Sequence, residues 1–113
     1  MIPVIIESPF AGRTPHERER NIGYARRCML DCFERGEAPF ASHLLYTQEG
    51  VLDDDIPAQR AIGIEAGLVW GQSALKTVVY IDLGISIGMQ QGILSAQKLN
   101  RPIEYRRLLG RVE

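Results

Sequence analysis

One stretch of the sequence, from Thr77 to Ile103, constrains the fold more than any other. It begins with an apolar, β-branched run that is typical of a strand buried on both faces: Val78, Val79 and Ile81. A glycine-containing loop opens at Asp82, and apolar residues at spacings of three to four then predict a helix. A further strand is expected up to Leu108. Such a β-loop-α-β unit belongs to parallel sheets, where ligands bind at the carboxyl ends of the strands.

Strand and helix patterns alternate over the rest of the chain. Residues 4–6 predict a first, central strand, and residues 38–41 predict a strand that its proline places at the sheet edge. Helices are expected from Thr14, which can cap the first turn, to about Arg35, and from about Ile56 to Leu75. Leu44 to Tyr46 is the only candidate for a fifth strand.

This order predicts an α/β fold, with a parallel sheet of four to five strands and helices on both faces. At 113 residues the chain has the length of one domain, residues 1–113. The first helix is expected to bury a face formed by Ile22, Ala25, Met29, Cys32 and Phe33. Residues 110–113 are expected to form a frayed tail.

The overall charge and hydropathy exclude several classes of protein. Thirteen basic and fourteen acidic residues give a net charge of -1, without the basic excess of a nucleic-acid binder. No apolar run approaches the ~20 residues of a membrane span. Because the amino terminus leads directly into a strand, without a charged signal-peptide opening, a cytoplasmic location is predicted.

The sequence contains no recognisable metal site. Cys28 and Cys32 lie four residues apart on the apolar face of a predicted helix, as buried reduced thiols do. His16 and His43 have no ligand-like spacing relative to them. The acidic triplet 53–55 is expected to cap and complement the start of the following helix. Neither a metal nor a cofactor is predicted.

Three strand-end loops should meet at one edge of the sheet: residues 8–13, 42–46 and 82–89. Together they offer hydroxyl groups, backbone amides, an acid, an imidazole and aromatic rings. Gly88, just before a helix, suits the approach of a phosphate to backbone N–H groups. Each of these residues also has a purely structural explanation as a turn former or a cap. In combination they predict a site for a ligand of nucleotide size.

Three glycines repeat every four residues along the predicted third helix: Gly63, Gly67 and Gly71. Glycine weakens a helix by about 1 kcal/mol relative to alanine, so a stripe of three needs a structural reason. Either the helix packs tightly on its own sheet, or the stripe forms a contact between subunits with Trp70 beside it. The second alternative predicts a homodimer or a higher homo-oligomer.

Four segments of the chain resemble the nucleoside 2-deoxyribosyltransferase-like superfamily, particularly its small phage and bacterial members of uncharacterised function. The most specific segment is Asp82-x-Gly84-x-Ser86-x-Gly88-Met89, with Ala96 and residues 102–106 after it. The other three segments are residues 8–10, the pair Pro39-Phe40 followed by residues 42–45, and Arg60 with Gly63. Together they span nearly the whole chain.

The resemblance implies a flavodoxin-like three-layer sandwich with strand order 2-1-3-4 and dimers built around a shared site. It also implies cleavage or transfer of N-glycosidic bonds of deoxynucleosides or their monophosphates, by a glutamate on the helix after the Ser-x-Gly loop. The sequence departs from this pattern because the glutamate position is occupied by Gly92. Asp82 matches the assisting aspartate of the family.

Three hypotheses follow from the sequence. The first is a protein that binds a nucleoside or nucleotide, with N-glycosidic chemistry weakened or lost. The second is an active deoxyribosyltransferase or deoxynucleotide N-hydrolase that uses Asp82 or Glu7, and the third is a structural oligomerisation module. The predicted catalytic residue is Asp82, and the predicted ligand-binding residues are Ser8, Phe10, Gly12, His43, Ser86, Gly88 and Met89.

Overall fold

A computed structural model describes residues 1–109 of the chain; the predicted frayed tail lies outside the described residues. The strands are β1 (Ile2–Glu7), β2 (Glu37–Phe40), β3 (Lys76–Tyr80) and β4 (Ile103–Arg106). The helices are α1 (Pro15–Glu34), α2 (Ser42–Leu45), α3 (Pro57–Gly71) and α4 (Ile87–Lys98). Among these residues no helix is long and apolar enough to cross a bilayer.

The four strands form one parallel sheet in the order β2-β1-β3-β4, which confirms the predicted fold class and strand order. Val78 and Val79 of β3 are fully buried, as the β-branched run predicted, whereas Ile81 lies after the end of β3 and is only partly buried. On one face of the sheet, Val4 and Ile6 of β1 pack in a core cluster with residues of α1. On the other face, Ile5 and Glu7 point toward α3 and α4, because successive side chains of a strand alternate.

Helix α1 begins and ends close to the predicted residues, and its buried face agrees with the predicted one only in part. Thr14 caps it by accepting a hydrogen bond from the Glu17 amide, as predicted. Phe33 was expected in the core and is 50% exposed, so that prediction is wrong. Ala25 and Cys32 are buried as predicted, and Met29 packs against the core. The other buried positions of the helix were not predicted: Asn21, Tyr24, Cys28 and Asp31. Both cysteines are free and buried, as predicted, and burial raises the pKa of Cys28 to about 12.

Two local expectations between β2 and β3 are settled by the structure. The candidate fifth strand at residues 44–46 is not formed, because the chain turns directly into the short helix α2. The acidic triplet does not cap α3: the cap position is Ile56, which makes no side-chain hydrogen bond. Asp55 instead forms an ion pair with Arg18 of α1, with 2.7 Å between the closest atoms.

The glycine stripe of α3 packs inside the molecule. A Cβ atom added to Gly67 would lie 2.7 Å from the Ser42 hydroxyl of α2, and one added to Gly71 would lie 3.8 Å from Ile5 of β1. Packing on the sheet, the first of the two alternatives, therefore accounts for Gly71, whereas Gly67 packs on α2 and Gly63 faces Leu52. Other positions of the same helix leave large apolar side chains more than half exposed: Ile62, Val69 and Trp70.

Candidate functional site

A cavity of about 900 Å³ lies between the carboxyl ends of the strands, α3 and α4. This volume is within the range of small-molecule sites in proteins. Three separate loops contribute to its wall, as predicted from the strand-end positions. Six of the seven predicted ligand-binding residues line it: Ser8, Phe10, His43, Ser86, Gly88 and Met89.

A serine and a histidine form a hydrogen bond in the wall of the cavity. The Ser8 hydroxyl lies 2.7 Å from Nε2 of His43, and Ser8 is buried. Burial lowers the pKa of His43 to about 4, so the imidazole is neutral at physiological pH. The ring of Phe10 meets the imidazole edge-on, with 6.4 Å between the ring centroids. The three side chains form one aromatic and polar wall.

The amino terminus of α4 forms a second part of the wall. Ser86 caps the helix by accepting a hydrogen bond from the Met89 amide at 3.2 Å. The Met89 sulfur in turn accepts the Ser86 amide at 3.3 Å, which completes a capping box. A Cβ atom added to Gly88 would lie 3.5 Å from the Arg60 guanidinium. Backbone amides and a cation therefore lie together at the positive end of the helix dipole.

A carboxyl group occupies the part of the cavity wall next to Gly92. A Cβ atom added to Gly92 would overlap all three atoms of the Glu7 carboxyl group, and even the farthest, Oε1, would be only 2.6 Å away. Real Cβ atoms do not approach other atoms closer than 3.0 Å. Residue 92 therefore has no room for a side chain while Glu7 keeps this conformation.

The electrostatic surroundings of Glu7 favour its neutral form. Burial of the carboxyl group raises its pKa to about 8, and the positive charge of Arg101 opposes the shift only in part. Arg101 is held by its own hydrogen bonds, from Nε to Thr77 at 2.9 Å and from a terminal nitrogen to the Gly71 carbonyl at 2.6 Å. The side chain of Glu7 is partly exposed to the cavity, so a ligand can reach it.

Comparison with known families places the chain. Residues 2–106 match the profile of a family described as a domain of unknown function, DUF7768. The chain belongs to this family. No curated protein matches the sequence.

A solved structure shares the fold of this DUF7768 chain. It is a 2-deoxyribosyltransferase from the psychrotolerant bacterium Bacillus psychrosaccharolyticus, described as a biocatalyst for the synthesis of nucleosides. The two chains are 17% identical, with a TM-score of 0.64. The match covers 98% of this chain and 76% of the other. The similarity supports the predicted relationship to deoxyribosyltransferases at the level of the fold.

Two of the predicted site residues do not line the cavity. The Asp82 carboxylate accepts hydrogen bonds from the Tyr24 hydroxyl at 2.5 Å and from the amides of Leu108 and Leu109. Burial acts to raise the pKa of Asp82, but these hydrogen bonds outweigh it and the net shift is downward. Gly12 packs against the first turn of α1, where a Cβ atom would lie 2.7 Å from the Arg18 amide.

Several residues of the cavity were not predicted as part of the site. Arg101 and Lys98 lie near the carboxyl end of α4, and Gly92 lies in its middle. A cation just before a strand carries no sequence signal for this role, because only the tertiary fold brings Arg101 beneath Glu7. In residues 1–109 no group of three or more His, Cys, Asp or Glu side chains is arranged to hold a metal ion.

Proposed function

We propose that the cavity binds a nucleoside or a nucleotide. One observation carries the proposal: six residues predicted as ligand contacts, from three segments far apart in sequence, line one cavity of suitable volume. The shared fold with a 2-deoxyribosyltransferase supports a nucleoside-related role.

Each part of the wall suits one part of such a ligand. Phe10 offers an aromatic ring on which a base can stack, and the Ser8–His43 pair offers hydrogen bonds to its edge. The amino-terminal end of α4 and the Arg60 guanidinium beside Gly88 suit a phosphate or sugar oxygens.

Thermal unfolding in the presence of ligands tests this proposal. The panel consists of the four common deoxynucleosides and their 5′-monophosphates at millimolar concentration. A ligand present at 100 times its Kd should stabilise the protein by about 2.7 kcal/mol, which raises the Tm by several degrees. Phe10→Ala should remove the shift, whereas Phe33→Ala, outside the cavity wall, should keep it. If no compound raises the Tm, the proposal is wrong.

A second candidate function is hydrolysis or transfer at the N-glycosidic bond. The observation that favours it is the carboxyl group of Glu7, which lies in the cavity although residue 92 is a glycine. Of the two acids considered from the sequence, Glu7 is favoured, because the Asp82 carboxylate is occupied by Tyr24 and backbone amides outside the cavity wall. Release of free base from the same panel, followed by chromatography, tests this candidate.

The third candidate, assembly into a homo-oligomer, draws on the exposed apolar residues of α3. Because the glycine stripe packs against Ser42 and Ile5, an interface would use the other side of the helix, with Val69 and Trp70. Trp70→Glu should then shift a dimer toward monomer in sedimentation velocity, and Leu30→Glu on α1 is the matched exposed control. An unchanged sedimentation coefficient for Trp70→Glu would exclude this interface.

A further inference from the structure

We propose that Glu7 is the catalytic acid of this cavity, and that Glu7 of β1 and Gly92 of α4 form an exchange pair in which only one position can supply the carboxyl group. Glu7 would protonate the departing base during hydrolysis of an N-glycosidic bond. This inference rests on the second candidate function above.

The first support is steric. The carboxyl group of Glu7 occupies the volume into which any side chain at position 92 would have to project. Glycine in the interior of a helix costs about 1 kcal/mol relative to alanine. At position 92 this cost has a structural explanation, because even alanine would collide with Glu7. A side chain at position 92 therefore requires the Glu7 carboxyl group to leave the place that it occupies.

The second support is the environment of the carboxyl group. Within residues 1–109, the carboxyl group of Glu7 forms no hydrogen bond, and the charge that acts on its pKa is that of Arg101. Arg101 directs Nε and one terminal nitrogen toward Thr77 and Gly71 instead. A carboxyl group without donors to stabilise its anion keeps its proton, which is the form that a general acid requires. The raised pKa agrees with this geometry.

The reaction then balances with water as the second substrate. The bond between C1′ of the sugar and the base nitrogen breaks, and its electron pair goes to the nitrogen, which receives the proton of Glu7. Water adds to C1′, and the proton that it loses returns to the Glu7 carboxylate. The products are the free sugar and the free base, and Glu7 ends in its starting form.

Base release by wild type and Glu7→Gln is the first test. The wild type is incubated with the deoxynucleosides and their 5′-monophosphates, and free base is measured by chromatography. Glu7→Gln, which keeps the shape and loses the proton, should reduce kcat at least 100-fold and leave the ligand-induced Tm shift in place. Glu19→Gln, an exposed position on α1, is the matched control and should behave like wild type.

Moving the carboxyl group from β1 to α4 is the second test. Glu7→Ala empties the volume, and Gly92→Asp refills it from the helix; aspartate is chosen because the Glu7 carboxyl lies where the Cβ atom of residue 92 would be. The double variant Glu7→Ala/Gly92→Asp should be at least tenfold more active than Glu7→Ala. The isosteric control Glu7→Ala/Gly92→Asn should recover none.

Each outcome decides between the proposals. Full activity of Glu7→Gln, or a wild type that binds a panel compound but releases no base, overturns the acid role and leaves the binding proposal intact. A wild type that binds none of the compounds contradicts the binding proposal itself. A folded exchange variant without recovery overturns the exchange pair. The Glu7→Gln comparison decides the acid role whether or not the exchange variant folds.

Discussion

Two glutamates on opposite faces of the same sheet, the buried Glu37 and Glu7 at the cavity wall, have pKa values shifted in opposite directions. Glu37, the first residue of β2, receives two hydrogen bonds from Arg106, at 2.6 and 2.7 Å, and an ion pair from Lys76 at 2.8 Å. These contacts lower its pKa to about 2 against the effect of burial. Glu7, the last residue of β1, has no such donors, and burial raises its pKa to about 8.

The two faces of the sheet differ in whether their charged side chains have partners within the protein. On the α1 face, Tyr80 and Asp31 extend the network around Arg106, with 3.1 and 2.7 Å between successive partners. Buried charges with satisfied partners fix a structure and leave no donor or acceptor for a ligand. On the face of α3 and α4, a carboxyl group and a cavity are left together, which is an arrangement typical of functional sites.

The largest expected effect comes from breaking the saturated network. Arg106→Met removes the main partner of Glu37 and leaves a buried carboxylate without its bidentate donor, which should cost about 3–5 kcal/mol in urea unfolding at pH 7. Because the folded pKa of Glu37 lies below its unfolded value of 4.5, its contribution should be present above pH 4.5 and lost as the pH falls toward 2. Glu104→Gln, a partner that is 45% exposed, should cost less than about 1 kcal/mol.

The second largest effect is a gain in stability, and it is expected for Glu7→Gln on the cavity face. Between pH 4.5 and 8 the folded protein holds a proton on Glu7 that the unfolded chain releases, so wild-type stability should fall as the pH rises through this window. Glu7→Gln removes this loss and should be more stable than wild type by about 2–4 kcal/mol at pH 9, with little difference at pH 4. Melting curves across this range, with Glu19→Gln as control, measure it. Parallel curves for wild type and Glu7→Gln would contradict the raised pKa.

A third comparison uses the same substitution on the helices of the two faces. Gly67→Ala in α3 should cost about 1–3 kcal/mol, because its Cβ atom would meet Ser42 at 2.7 Å and overpack the contact. Gly23→Ala in α1 meets only the flexible end of Arg27 at 3.7 Å and should gain about 0.5–1 kcal/mol from helix propensity. Urea titrations of both variants test the contrast. If both substitutions raise the free energy of unfolding, the contact between α3 and α2 is loose.

The smallest change in stability is expected for the exposed ion pair that joins elements of the two faces. Asp55→Asn breaks the exposed ion pair between Arg18 of α1 and the segment before α3. Exposed ion pairs contribute little and weaken with salt, so the loss of stability should be the smallest of the four and should vanish in 1 M NaCl. A larger or salt-independent loss would mean that this pair, beside Phe10, also supports the cavity wall.

The fold could be predicted from local sequence signals because each element carries its own. The β-branched runs of β1 and β3 fixed the central strands, and the proline of β2 placed that strand at the edge. The failures occurred where tertiary contacts decide. Phe33 has an apolar side chain but lies outside the stripe that α1 turns toward the sheet, and Asp55 pairs with a distant arginine instead of capping the helix that follows it.

For the site, sequence reasoning identified the loops but not the electrostatics. Ser8, His43 and Ser86 could be proposed because parallel strands bring their ends together. The contact between Glu7 and position 92 could not, since it depends on the depth at which α4 packs on β1. The role of Arg101 was missed for the same reason, because two of its partners, Gly71 and Thr77, belong to α3 and β3.

The proposed exchange of a carboxyl group between β1 and α4 also has a consequence for how relatives of this protein are compared. A comparison made column by column sees a glycine where a glutamate is expected and scores an active site as lost. The same comparison treats Glu7, near the other end of the chain, as an unrelated difference. Such proteins are better compared by structural superposition than by sequence alignment. The chemistry of a cavity depends on which atoms line it, whichever residue number carries them.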